Sequence, residues 1–334
     1  MRKLSHFSFL VLFFSSALIM AQPTLPPDRA GQIGAPLGKI AFIRDGDLWV
    51  MNWDGSNQFK VVAAQNADGR ISWAPDNRRI AFCRRGQVDL KGPDNLGGRH
   101  NVYDIFIGYL DSAKTNTNWW FRLTDDLGSR HPEWSADGSK IIFTKDLNAN
   151  TINALMPNYQ TCLSDTTGGS QQVMVQNWKD ADRFAVMPTL APDGRYAFVL
   201  LKNLKDSKAS GVVVAPPGLT SLSDEELKAK AKYLPGATAP AWSPDGKWIA
   251  VIQNDASGQG IFIVSPDLTE KFIVYRPNAG QVVQTYPLSW SPDSKWLTFA
   301  LQDGTVWIIN ITGGGLKQIL SPGMNLAPAW SKKI

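Results

Sequence analysis

The chain has 334 residues, of which 43% are hydrophobic and 19% charged, with 28 glycines and 21 prolines spread along its length. That is enough apolar material for a large packed core and too much for an intrinsically disordered chain. Setting residues 1–21 aside leaves 32 basic side chains against 29 acidic ones, an excess too small to point to nucleic acid as a partner.

In chain order, Arg2 and Lys3 precede an apolar run over residues 7–20, and Ala21 follows before the polar Gln22. This pattern reads as a secretory signal, and hence a periplasmic or secreted protein. The rival reading is an uncleaved membrane anchor, because Ile19-Met20-Ala21 is a poor small-x-small cleavage site and the run is short for a span. The residue directly after Ala21 is Gln22, not a cysteine that could carry a lipid. Residues 22–38 hold four prolines and no apolar period, the composition of an extended linker.

From Lys39 onward the chain repeats itself. SWAPDNRRIAF at 72, EWSADGSKIIF at 133, TLAPDGRYAFV at 189, AWSPDGKWIAV at 241 and SWSPDSKWLTF at 289 are followed by a stub, AWSKKI, at 329. The anchors Trp73, Trp134, Leu190, Trp242, Trp290 and Trp330 lie 61, 56, 52, 48 and 40 residues apart, which makes six copies. In Ser243-Pro244-Asp245-Gly246 proline presets φ, Asp suits the next position, and Gly accepts the left-handed geometry that closes a tight hairpin. Asn77 and Ser294 stand where two copies lack that glycine. Apolar triplets such as Ile80-Ala81-Phe82 and Ile249-Ala250-Val251 follow each turn, as expected of strands covered on both faces. Third and fourth strands are legible in Gly260-Ile261-Phe262-Ile263-Val264 and Lys317-Gln318-Ile319-Leu320.

Four antiparallel strands every 40 to 60 residues is the pattern of a propeller blade, so the fold class is all-β, a six-bladed β-propeller over residues 39–334. The stretch from Gly38 to Gly55 supplies strands two to four of a blade that lacks a first strand, and residues 326–331 supply a first strand with nothing after it. Together they close the ring as the sixth blade.

The W-S-P-D-G-K phrase resembles the repeat of TolB-like six-bladed propellers from about Lys39 to the last residue, Ile334. The resemblance implies a periplasmic scaffold that binds other envelope proteins, without the α/β domain that precedes the propeller in TolB proper.

Between Val214 and Tyr233, LSDEELKAKAK is expected to form a short surface helix opened by a Ser223–Glu226 capping box. Cys83 and Cys162 could pair in an oxidising compartment, though two separately buried thiols suit a domain of this size better.

Catalytic signals are sparse. The chain has no G-x-S-x-G elbow and no H-E-x-x-H, and beyond the first 21 residues its histidines are His100 and His131, too few for a multi-histidine metal centre. No catalytic residue, metal site or cofactor is assigned. Propeller lyases and lactonases that use channel carboxylates and a divalent cation keep an enzyme, or a carbohydrate binder, as the alternative.

The proline turns and glycine-rich turns share one rim of such a ring, so the longer connections from strand two to three and from blade to blade share the other. Recognition is expected on that long-loop rim. Its candidate partner-binding residues are Arg99, His100, Asp125 and Asp126, then Arg130, His131, Trp178, Arg183 and Tyr286. The tightest group is Asp125, Asp126, Arg130 and His131, with His100 on the neighbouring blade; it reads either as a pocket at the channel mouth or as loop caps and surface ion pairs. The reading is a monomeric, exported, non-catalytic scaffold for protein partners.

Overall fold

The computed structural model describes residues 23–90, 98–110, 120–151, 157–176, 183–202 and 210–333. Six four-stranded antiparallel sheets form a six-bladed propeller. Blade one comprises β4 (Ala67–Trp73), β5 (Arg79–Leu90), β6 (Gly98–Tyr109) and β7 (Trp120–Arg122), and blade two β8 (Ser129–Trp134), β9 (Lys140–Asp146), β10 (Tyr159–Asp165) and β11 (Gln171–Val175). Blade three is β12 (Arg183–Leu190), β13 (Tyr196–Lys202), β14 (Gly211–Ala215) and β15 (Lys232–Pro235). Blade four is β16 (Ala237–Trp242), β17 (Ile249–Asp255), β18 (Gly258–Val264) and β19 (Lys271–Tyr275), and blade five is β20 (Ser289–Trp290), β21 (Trp296–Ala300), β22 (Val306–Asn310) and β23 (Lys317–Leu320). Blade six closes the ring as expected: β24 (Asn325–Trp330) pairs with β1 (Lys39–Arg44), β1 with β2 (Asp47–Asn52), and β2 with β3 (Phe59–Val62).

The repeated phrase forms the turn between strands one and two. Gly246 N donates to Ser243 O at 2.9 Å, Ser243 N to Trp248 O at 2.9 Å, and Lys247 N to the Asp245 carboxylate at 3.2 Å. Gly246 has φ 68°, and Asn77 and Ser294 take the same left-handed geometry at 56° and 60°. Both replacements also bridge to a neighbour. The Ser294 hydroxyl accepts from Asp245 N at 3.1 Å, and the Asn77 amide accepts from Lys332 N and Lys333 N while donating to Lys333 O.

Around the channel every blade is tied to the next by one motif. The residue before each anchor offers a side-chain oxygen to the next blade: Ser72 to Trp134 N, Glu133 to Leu190 N, Thr189 to Trp242 N and Ser289 to Trp330 N, at 2.8 to 3.3 Å. At the two junctions where that residue is alanine, the next indole donates instead, Trp290 Nε1 to Ala241 O and Trp73 Nε1 to Ala329 O, both at 2.9 Å. Between blades, side chains such as Phe42, Phe82, Phe143, Phe198, Phe262 and Phe299 are almost fully buried and supply the apolar packing that drives assembly.

The proline-rich segment does not stand free of the body. Pro27–Ala30 form a one-turn helix, α1, and Leu25 and Ala30 are buried in the core of blades four and five. Pro23 O accepts from Ile273 N, Gly34 O from Trp296 Nε1 and Leu37 O from Trp330 Nε1, so residues 23–38 run as a strap across three blades. The inserted helix, α2 (Asp224–Lys230), joins strands three and four of blade three, and the Ser223 hydroxyl accepts from Glu226 N at 3.2 Å. Cys83 and Cys162 are free and buried in one core cluster; burial pushes their thiols up to about 12 and about 11, which leaves them protonated and unreactive.

Candidate functional site

Each inner strand runs from the long-loop rim to the short-turn rim, and in five of the six blades it is broken by a bulge that re-aims its side chains into the channel. In blades two, three, four and six one residue is added, at His131, Met187, Ala239 and Ala327, each left-handed and each followed by proline. Blade one adds two residues, because Asp68 pairs with Cys83 and the next pair is Ser72 with Ala81. That longer bulge carries Arg70 into the channel, where its guanidinium pairs with Glu133 and donates to Pro188 O at 2.6 Å. Burial pushes the Arg70 guanidinium down to about 9, still charged at neutral pH.

At the long-loop mouth, contributions from blades one, two and five converge. The Arg130 guanidinium lies over the Tyr103 and Tyr159 rings, 4.8 and 5.4 Å from their centres, and its Nε is buried without a hydrogen-bond partner. The Tyr286 hydroxyl bonds to the Asp68 carboxylate at 3.1 Å, and Arg85 stands 3.9 Å from the same carboxylate. His131 turns a partnerless Nδ1 into the protein, and burial, then Arg130 and Arg70, push it down to about 3, so it is neutral near pH 7. Arg130, His131 and Tyr286 are therefore brought to the channel mouth.

The other candidates are placed elsewhere. Asp126 caps its own loop, accepting from Gly128 N and the Ser129 hydroxyl, and pairs with Lys145 at 2.9 Å. Asp125 is 82% exposed and pairs with Arg122, which also holds the buried Asp104. Arg183 binds Leu222 O and the Asp224 carboxylate, anchoring the start of α2. Trp178 lies outside the described residues. Arg99 and His100 sit on an arm that the repeat pattern did not reveal: β5 and β6 are 12 residues each, and beyond Arg85 and Tyr103 they pair, among the described residues, only with each other. One face of this ribbon carries Val88, Leu90 and His100; the other carries Gln87, Asp89, Arg99 and Asn101, with an Arg99–Asp89 pair at 3.7 Å.

Asp68, Arg70, Tyr103, Glu133 and Tyr159 were not anticipated. Asp68 and Tyr159 lie beside conspicuous loops, but no local motif marks them, and the Gly69-Arg70 insertion before SWAPD is the one sequence trace of the channel arginine. Among the described residues no group of three His, Cys, Asp or Glu side chains could hold a metal ion.

No family model matches the chain, and no curated protein matches it. Its structure superposes on TolB from Acinetobacter baumannii with a TM-score of 0.63 at 18% identity, covering 88% of this chain and 66% of that one. The fold is that of the TolB propellers. A protein assigned as TolB in Agrobacterium tumefaciens superposes with a TM-score of 0.58 at 13% identity, covering 90% of this chain and 93% of that one. The TolB-like fold also recurs inside an enzyme: the tricorn protease gives a TM-score of 0.58 at 14% identity over 90% of this chain, but only 26% of its own. The present chain spans about two thirds of the Acinetobacter protein's length.

Proposed function

We propose that the protein is an exported, non-catalytic binding scaffold of the periplasm or cell envelope, and that it engages a protein partner through its long-loop rim. The observation that carries this reading is the β5–β6 arm. About five residues of each strand extend past the blade, which at roughly 3.4 Å per residue is a ribbon of about 17 Å. Among the described residues its edges pair with no further strand and are open to an extended peptide, and one face carries the apolar Val88 and Leu90 beside His100. Next to it, Arg130, Tyr103, Tyr159 and Tyr286 offer the residue types that most often anchor protein interfaces. The two TolB structures support the scaffold reading, the match covering 93% of the Agrobacterium chain and 66% of the Acinetobacter one, whereas in the tricorn protease it covers only 26% of the chain.

Isothermal titration with a partner captured from envelope extract tests the reading. Val88→Asp on the arm is expected to weaken binding at least tenfold, and Lys247→Glu on the opposite rim to leave it unchanged. Turnover of a polysaccharide or ester by the purified protein, lost on substituting Asp125, Asp126 or His131, overturns it in favour of a propeller enzyme.

A further inference from the structure

The β5–β6 arm has two free edges, and the hydrogen bonds at its base fix which backbone groups each edge offers. Arg85 N donates away from β6 to Asn66 O at 2.8 Å, and Tyr103 N donates away from β5 to Leu127 O at 2.9 Å, so the facing residues Arg85 and Tyr103 are turned apart. Bonded and unbonded pairs alternate along an antiparallel ladder. Gly86–Val102 and Val88–His100 therefore hold the arm together, while Gln87–Asn101 and Asp89–Arg99 are turned apart. The N–H and C=O groups of Gln87 and Asp89 point to the side of β4, which faces the channel, and those of Asn101 and Arg99 to the side of β7, which faces away from it. Among the described residues none of these four has a backbone partner on its free edge.

Charge separates the two edges. On the outward side Arg122 and Lys145 are more than matched by Asp104, Asp125 and Asp126. On the channel side Arg70 and Glu133 neutralise one another, which leaves Arg85 and Arg130 against Asp68. Arg130 lies over the Tyr103 and Tyr159 rings and pairs with no acid among the described residues. Arg85 is 48% exposed and stands 3.9 Å from Asp68, whose carboxylate also accepts from the Tyr286 hydroxyl, so its guanidinium is free to turn to a second carboxylate. An extended chain on the channel-side edge meets Val88 and Leu90 on one face and Arg85, Gln87 and Asp89 on the other.

We propose that the channel-side edge of the arm, Gln87 to Leu90, captures an extended segment of a protein partner by antiparallel strand addition in line with β4, the segment carrying apolar residues opposite Val88 and Leu90 and a carboxylate opposite Gln87, beside Arg85. This rests on the protein-partner reading of the arm and adds the edge, the register and the chemistry of the segment. Gln87 and Asp89 each exchange two backbone hydrogen bonds with the residue opposite, whose side chain lies on their own face of the ribbon. The carboxylate belongs opposite Gln87 because opposite Asp89 it meets a like charge.

Fluorescence anisotropy on the whole protein with a capped, labelled peptide Val-Thr-Val-Glu-Val, whose glutamate falls opposite Gln87, tests this register. Replacing the glutamate with lysine is expected to weaken binding about tenfold, and Arg85→Gln to narrow that difference. N-methylation of the threonine and glutamate, whose N–H groups face β5, is expected to abolish binding, and N-methylation of the valine between them to leave it unchanged; neither depends on the folding of a variant. Gln87→Pro removes an outward N–H and no bond within the arm, so it is expected to weaken binding about tenfold at an unchanged melting temperature, whereas Asn101→Pro on the other edge leaves binding as it is. No binding at millimolar peptide, equal binding of the lysine peptide, binding that survives methylation of the threonine and glutamate, or a loss with Asn101→Pro but not with Gln87→Pro overturns the proposal. A partner from envelope extract whose binding is still lost on Val88→Asp then leaves the scaffold reading in place, so the two fail separately.

Discussion

Glu133 accepts from Arg70, from the Thr189 hydroxyl at 3.0 Å and from Leu190 N at 3.3 Å, all in a site where it is only 6% exposed. Removing one member of such a pair leaves the other as an uncompensated buried charge, which costs more than the pair itself contributes. Glu133→Gln is expected to destabilise the protein by about 3 kcal/mol in denaturant unfolding, against less than about 0.5 kcal/mol for Asp125→Asn at the surface. Equal effects would show that the channel pair is wetter than its burial implies. His131 makes a second prediction through pH. Its imidazole binds a proton near 6.5 when unfolded but only near 3 in the native protein, so the unfolded state takes up more protons between these values. The neutral imidazole therefore contributes fully above about pH 6.5, and stability declines as pH falls toward 3. Because the carboxylates lowered by their turns, such as Asp137 and Asp165 at about 2, titrate mainly at the acid end, the slope between pH 6.5 and 4.5 is the part that His131→Gln should flatten in melting curves.

At the scale of elements, the turns were the most legible part of the sequence. Pro244-Asp245-Gly246 and its relatives encode a local geometry that needs no distant partner, so the strands on either side and the six-blade count follow from the text alone. The bulges were not legible, because an inserted residue shows its consequence only against the register of the next strand; the two-residue insertion that delivers Arg70 is the clearest case. Residues 23–38 have the composition of a linker, because their four prolines leave no apolar period, yet their carbonyls find donors on other blades, Gly34 O with Trp296 and Leu37 O with Trp330. Ring closure depends on the pairing of Ile40 with Trp330 and Arg44 with Asn325, together with the Asn77 clasp. Deleting residues 325–334 exposes the edges of β1 and of its neighbours to solvent and to other chains. Loss of a single cooperative melting transition, or aggregation on concentration, is expected by calorimetry and light scattering; a truncated protein that melts like the intact one contradicts this closure.

The whole molecule is asymmetric across its ring. One rim is made of near-identical turns whose residues are committed to backbone geometry, and the other carries the arm and the aromatic channel mouth. The candidate site was legible only where single residues were conspicuous, as with Arg130, His131 and Tyr286; Asp126 and Arg183 were equally conspicuous but are engaged in capping a loop and holding α2. What gathers a mouth from three blades is the closure of the ring, which no local window contains. The most direct test of the scaffold reading is site-specific photo-crosslinking in intact cells, with the photoreactive residue placed at Gln87 or Asn101 on the arm or at Lys247 on the opposite rim. The account predicts the same discrete crosslinked protein from both arm positions and none from Lys247; a specific product from Lys247 with none from the arm contradicts it.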